Sequence, residues 1–174
     1  MHNVHFYSQY DESVPADWRD RSCGIVCLQM ALAARSSSRL TISDLIKEAL
    51  TIEGAYQESI GWSHTGLVLV AHNHGIPAYQ EEFRSRNPHT EENLAHYGVK
   101  KIKEELTRGK VILASVRKDF KPEGSPHIIL LIGVTSRGFE YHDPAQLDPS
   151  HGANQVITEE DFFKSWRRLC IVVG

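Results

Sequence analysis

The chain lacks a closed set of cysteines. It has three in 174 residues, an odd number that cannot all pair. Two of them, Cys23 and Cys27, are one helical turn apart, where similarly tilted Cα–Cβ bonds are poorly placed for a bridge. A reducing compartment follows. No apolar run is long enough to cross a bilayer. The start, Met1-His2-Asn3-Val4-His5, has neither the basic nor the apolar region of a secretory signal, so the expectation is a cytoplasmic protein with no membrane partner. A charge excess is missing as well. The net charge is −3, and the doublets Lys100-Lys101 and Arg167-Arg168 stand among acids without forming a basic stripe, which argues against a nucleic-acid partner. Absent too are a glycine-rich phosphate loop, GxSxG, HExxH and a CxxC pair. The ten histidines therefore show no ligand spacing, and neither a metal nor a cofactor is expected.

What is present is a globular composition, 41% apolar and 24% charged, enough for one domain over residues 1–174 with a sizeable core. The first half reads as helical. Apolar spacing predicts a helix from Gly24 to Ala34, followed by a loop at Ser36-Ser37-Ser38. A second helix covers Ile42 to Leu50, opened by Thr41 with Asp44 in a capping-box-like pair. A third runs from Gly66 to about His74, opened by Thr65 and stopped by Gly75. Residues Ile76 to Phe83 read as extended. Two short helices, Thr90 to His96 and Val99 to Arg108, precede Gly109. Strands are expected over Val111 to Val116, His127 to Val134, Phe139 to Asp143 and Leu169 to Val173, with a turn at Thr135-Ser136-Arg137-Gly138 and a short helix opened by Thr158 and Asp161. Helices first and an antiparallel sheet later is an α+β pattern, with N-terminal helices packed on the sheet.

Cys23 is the residue with a chemical setting. It stands at the start of an apolar helical run, where the helix dipole and unpaired N–H groups favour thiolate over thiol. Gly24 removes bulk beside it. Cys27, a turn later among Leu28, Met30 and Ala31, and Cys170, in Leu169-Cys170-Ile171-Val172-Val173, read as core. The hairpin offers a partner for the thiol. Facing residues of an antiparallel pair keep a nearly constant index sum, and a loop centred near residues 135–136 sets that sum at 270–272. His127 and Asp143 sum to 270, which places them on one face with Cβ atoms about 5 Å apart in a direct pair. Asp143 then orients one imidazole nitrogen and leaves the other to the thiol. His142 is offset by one residue and points to the opposite face. A thiol acyl transfer also needs oxyanion donors. The Cys23 N–H is one candidate. The side-chain amide of Gln9 is another, although the residues alone do not single it out.

Cysteine, then histidine, then a carboxylate is the chain order of papain-like thiol enzymes. Several short motifs occur in order along nearly the whole chain: Tyr7-Ser8-Gln9-Tyr10-Asp11, Trp18, Cys23-Gly24, a helix containing Met30, Gly61-Trp62-Ser63-His64-x-Gly66-Leu67, Gly109-Lys110-Val111-Ile112, His127 and Asp143-Pro144. Together they resemble stand-alone relatives of the bacteriocin-processing, double-glycine leader peptidases, cysteine peptidase family thirty-nine. That resemblance implies a papain-like fold, Cys23 as nucleophile, His127 as base, Asp143 as orienting residue and Gln9 as oxyanion donor, acting on a peptide or protein substrate. Residue 22 is serine, where transporter-linked members usually carry an acid, and Gln9 lies further from Cys23 than in those members. The expectation is hydrolysis of peptide bonds through a thioester. The alternatives are an acyl- or peptidyltransferase with the same residues and a non-catalytic binding module on the same fold.

Overall fold

A strand whose two faces are both buried needs apolar residues at every position rather than alternation, and three segments near the middle and end of this chain are built that way. The computed structural model describes residues 4–35 and 40–174; the loop expected at Ser36-Ser37-Ser38 and the first three residues lie outside them. The elements are α1 (Cys23–Ala33), α2 (Ile42–Leu50), β1 (Tyr56–Gln57), β2 (Gly61–Trp62), α3 (His64–Asn73), β3 (Ala78–Glu82), α4 (Pro88–Thr107), β4 (Val111–Arg117), β5 (Pro126–Val134), β6 (Gly138–His142), α5 (Pro149–Gly152), β7 (Gln155–Thr158), α6 (Glu159–Ser165) and β8 (Trp166–Val173), with 3-10 turns at Ala16–Arg21 and Lys118–Phe120. β1 and β2 form a small hairpin, and the other six strands form one antiparallel sheet in the order β3-β8-β4-β5-β6-β7.

The sheet separates two cores. On one face, Val111, Leu113, Ile128, Leu130, Ile132, Ile171 and Val173 meet α1, α2 and α3. On the other, Ile112, Ala114, Ile129, Leu131, Cys170 and Val172 meet α4 and α6 through Val99, Ile102, Leu106 and Phe162. The mixed helix and antiparallel-sheet architecture is the expected one, with a second helical layer added. Capping drives the local structure. Thr41 accepts from Asp44 N and Thr158 from Asp161 N, and Gly109, at φ 84°, follows α4 in the left-handed conformation that glycine adopts most readily. The third helix opens two residues earlier than expected, because Ser63 rather than Thr65 caps it by accepting from Gly66 N at 3.1 Å.

The two short helices expected between Thr90 and Arg108 are one helix of 20 residues. Gly98 reads as a break in the sequence, but its role is steric. A Cβ there would lie 2.6 Å from Trp166 Cη2 and 2.7 Å from Phe83 Cγ, both on buried rings. Alanine would gain about 1 kcal/mol of helix propensity but lose about 1–3 kcal/mol to overpacking. Gly98→Ala is expected to destabilise the fold, read as a lower denaturant midpoint at unchanged slope. An unchanged or raised midpoint would show that the rings give way freely.

Candidate active site

Ser22 precedes α1 at φ −105°, ψ 8° and makes no side-chain cap. The first helical bond runs from Val26 N to Ser22 O. The N–H groups of the first turn, that of Cys23 included, therefore have no intrahelical acceptor, and no acid stands in that turn. Cys23 is partly accessible at this end and Cys27 is buried below it. Gly24 differs from expectation. Its missing Cβ is not open space for a ligand, because that atom would meet Ile128 Cδ1, Leu67 Cδ1 and Trp62 Cβ at 3.2–3.3 Å. The glycine lets α1 seat against α3 and β5.

His127 and Asp143 come from the other layer. His127 opens β5 opposite Val116 of β4. Its Nε2 lies 2.7 Å from Asp143 Oδ1, in a buried contact, which leaves Nδ1 as the ring atom available to Cys23. The route to this contact differs from a direct cross-strand pair. The ladder keeps an index sum of 272 at Leu130↔His142 and Leu131↔Tyr141, shifts at a bulge before Gly133, and makes its last pair at His142. Asp143 stands just beyond it. There it opens a turn, with Gln146 N donating to Asp143 O and Ala145 N donating to Asp143 Oδ1 at 2.9 Å, and this turn carries the carboxylate back to His127. His142 is fully buried on the opposite side. Its Nδ1 accepts from Asn154 N at 3.0 Å, so Nε2 carries the proton that it donates to Val4 O at 2.9 Å.

Electrostatics organises the three groups as charges. Burial raises the Cys23 pKa, but the hydrogen bond and charge of His127, together with backbone hydrogen bonds from Ile128 and Gly24, outweigh it and bring the thiol below its usual value. Burial works against charge on His127 too. Its bonds to Asp143 and Cys23 overcome that and raise it to about 9. Burial would raise Asp143, yet His127 and the Ala145 N–H hold it below the usual carboxylate range. Cys27 goes the other way: burial pushes it well above an ordinary thiol, and the charges of Cys23 and Asp143 add to the rise. The three shifts all run in the direction that favours thiolate, imidazolium and carboxylate.

Gln9 is buried. Its amide Nε2 donates to Arg19 O at 2.7 Å and its backbone N–H to Pro144 O at 2.8 Å, which ties the segment to the turn after Asp143. Gln9 is not among the residues lining the cavity into which Cys23 opens. That cavity, of about 540 Å3, was not legible in the sequence. Tyr56 and Trp62 form an apolar wall against Trp18, with Tyr56 edge-on to it at 4.9 Å and Trp62 tilted at 5.4 Å between centroids. Arg84, Ser115 and Arg167 also line the cavity. The β1–β2 hairpin was missed because each strand has two residues, too few for a pattern; the signal available was the aromatic pair Tyr56 and Trp62 flanking a turn. Among the described residues, no three His, Cys, Asp or Glu side chains gather as a metal site would need, and no helix is long and apolar enough to cross a membrane.

No curated protein matches the sequence. Several solved structures share the fold. A Bacillus anthracis chain assigned to the C39-like peptidases superposes with a TM-score of 0.70 at 16% identity, covering 100% of this chain and 96% of that one. The double glycine motif protease of an AMS/PCAT transporter, in complex with its leader peptide, superposes at 0.64 with 17% identity, covering 99% and 91%. The peptidase domain of Streptococcus ComA, a bifunctional ABC transporter of a quorum-sensing pathway, also gives 0.64 at 17% identity, covering 99% and 98%. The architecture of helices on an antiparallel sheet is thus that of the papain-like C39 peptidase domains. At the level of sequence, the Peptidase_C39 like family matches residues 1–170, and the chain belongs to that family.

Proposed function

We propose that the chain is a cysteine peptidase that cuts peptide bonds with Cys23, His127 and Asp143. The observation that carries this reading is the convergence of a thiol at an uncapped helix start with an imidazole held at 2.7 Å by a buried carboxylate. His127 Nδ1 holds the proton released by Cys23 Sγ. The thiolate attacks the carbonyl carbon, and the electron pair of the C=O bond moves to oxygen. The Cys23 N–H stabilises that oxyanion; Gln9, whose amide is held by Arg19 O outside the cavity lining, acts as the second donor once its amide turns to the thiol. As the C–N bond breaks, His127 gives its proton to the leaving nitrogen. A water, deprotonated by the same nitrogen, then attacks the thioester and releases the acid. Asp143 keeps Nδ1 directed at sulfur throughout. Every step uses these side chains, the Cys23 N–H and water. The domain works over residues 1–174 in a reducing compartment such as the cytoplasm, which keeps Cys23 free.

A peptide is the substrate class that fits a half-open cavity with an aromatic wall beside the thiol. Support comes from the family and from a fold neighbour that holds a leader peptide. The test is a digest of a degenerate peptide library with the native protein and with Cys23→Ala, with and without an added amine. Cleavage to free acids by the native protein alone is expected. New amide products with the added amine would favour the transferase alternative, and identical digests from both proteins would overturn the reading.

A further inference from the structure

One end of the cavity takes no part in this chemistry. Arg84 and Arg167 line it, and the same two side chains open on an adjoining hollow of about 370 Å3, where Arg117, Arg168 and Lys164 join them around a single acid, Glu91. The chain fixes these groups in place. Arg167 Nη1 donates to Ser115 Oγ at 3.0 Å, Arg84 Nε donates to Arg167 O at 3.0 Å, and Arg117 Nη1 donates to Gly124 O at 3.2 Å.

Elsewhere the protein neutralises its cations closely: Arg108 and Lys110 sit 2.6 and 2.7 Å from the buried Glu105. Here the compensation is thin. Lys164 is paired with Glu160 at 2.6 Å, and Arg84 reaches Glu82 at 3.6 Å. Among the described residues, Arg117, Arg167 and Arg168 have no carboxylate within ion-pair distance. Burial and then the charges of Arg84 and Arg117 push the Arg167 guanidinium below its usual range. His64, at the start of α3, is lowered by burial and then by Arg167 and Arg84, so it adds no charge at neutral pH. α1 and α3 both begin at the cavity without an acid in the first turn, which adds two positive helix ends to the same field. The acids Asp20 and Glu58 also line the cavity, Glu58 being paired with Arg21 at 3.1 Å; the arginine-rich end carries the excess positive charge, which concentrates anionic ligands, and paired arginines match the planar fork of a carboxylate.

Distance along the sheet locates the charge relative to the thiol. Ser115, which holds Arg167, faces Ile128 across the β4–β5 ladder, and Ile128 follows His127. Both Arg167 and His127 line the cavity, so the guanidinium and the imidazole lie within reach of one short stretch of extended peptide.

We propose that Arg84 and Arg167, backed by Arg117, form an anion-binding subsite that selects peptides carrying a carboxylate within a few residues of the bond that is cut. The carboxylate is an Asp or Glu side chain or a chain-terminal group. The location of the cut rests on the peptidase reading; the binding of the carboxylate does not.

Fluorescent octapeptides with Glu scanned through every position, matched sets with Gln, and free-acid and amidated C-termini distinguish the sources. Cleavage by the native protein and binding to Cys23→Ala by anisotropy are both read. The expected result is a Glu-over-Gln preference, or an acid-over-amide preference at the terminus, of about 10-fold or more at one position. That preference falls towards unity in Arg84→Gln and in Arg167→Gln, survives in part in Arg167→Lys, and shrinks with added salt. Arg84 is exposed, so its variant tests the idea without loss of fold. A carboxylate preference below about 2-fold at every position, in cleavage and in binding, overturns the subsite, as does a preference unchanged in Arg84→Gln. Carboxylate-dependent binding without any cleavage would retain the subsite and overturn the peptidase reading.

Discussion

Cys23→Ala is expected to lower peptide turnover by on the order of 10^4-fold or more while shifting the melting temperature by no more than ~2 °C. Cys27→Ala is expected to do the reverse. Both residues lie on α1, four positions apart, so a general disturbance of the helix would affect them alike. Their surroundings differ. Cys23 opens into the cavity and loses only its sulfur there, while Asp143 still holds His127. Cys27 is fully buried, with Sγ 3.5 Å from Ile128 O. Truncating it leaves a small void costing about 1 kcal/mol, a fall of ~2–4 °C in melting temperature for a chain of this size. Its thiol, held well above an ordinary value, stays protonated and takes no part in attack. Rates measured at matched folded fraction separate the two effects, and equal rate losses in both variants would remove Cys23 from its assigned role.

Iodoacetamide should label Cys23 with a midpoint below the ordinary thiol value near pH 8.5, and labelling should persist above about 9, where His127 loses its proton, because raising the pH cannot return a proton to sulfur. The sign follows from the direction of each shift. Cys23 is lowered, so its thiolate is lost only as pH falls through that lowered value. His127 is raised, so the cation that holds the thiolate persists through neutrality and disappears as pH rises through its own value. His127→Ala removes the bond and the charge that lower Cys23 and leaves burial, which raises it. The labelling midpoint should therefore move up to or beyond that of a free thiol. Labelling rate against pH, followed by mass spectrometry of the Cys23 peptide, gives both curves. A native midpoint at or above 8.5 would mean an inert cysteine and favour a binding module.

Much of the scaffold was legible because single residues carried its signals. Thr41 with Asp44 and Thr158 with Asp161 announce helix starts, and Gly75 and Gly109 announce helix ends. Unbroken apolar runs mark β4 and β5, which are buried on both faces. The meeting of His127 with Asp143 was legible only in outline: alternation and a turn put them on one side, whereas the turn after Asp143 that completes the contact depends on backbone bonds with no sequence pattern. β7 was missed because only Ile157 of its four residues is buried. β8 begins three residues earlier than expected, since Arg167 and Arg168 interrupt the apolar run and Arg168 takes φ 63° where the strand is irregular. The cavity wall was hidden for a more general reason. Arg84 and Arg167 are far apart in the chain, and only the pairing of β3 with β8 makes them neighbours.

That same pairing has a consequence for the chain as it is made. β8 is inserted between β3 and β4 rather than added at an edge. A polypeptide interrupted before residue 166 would contain the thiol, the imidazole and the carboxylate, yet it would present two open hydrogen-bonding edges where the last strand belongs. One of them is β4, whose first six residues are all buried. Unpaired edges of that kind seek strands from other molecules. Truncated products should therefore fail by association with one another rather than persist as a weakened enzyme, and synthesis makes the strand that prevents this after every other strand of the sheet.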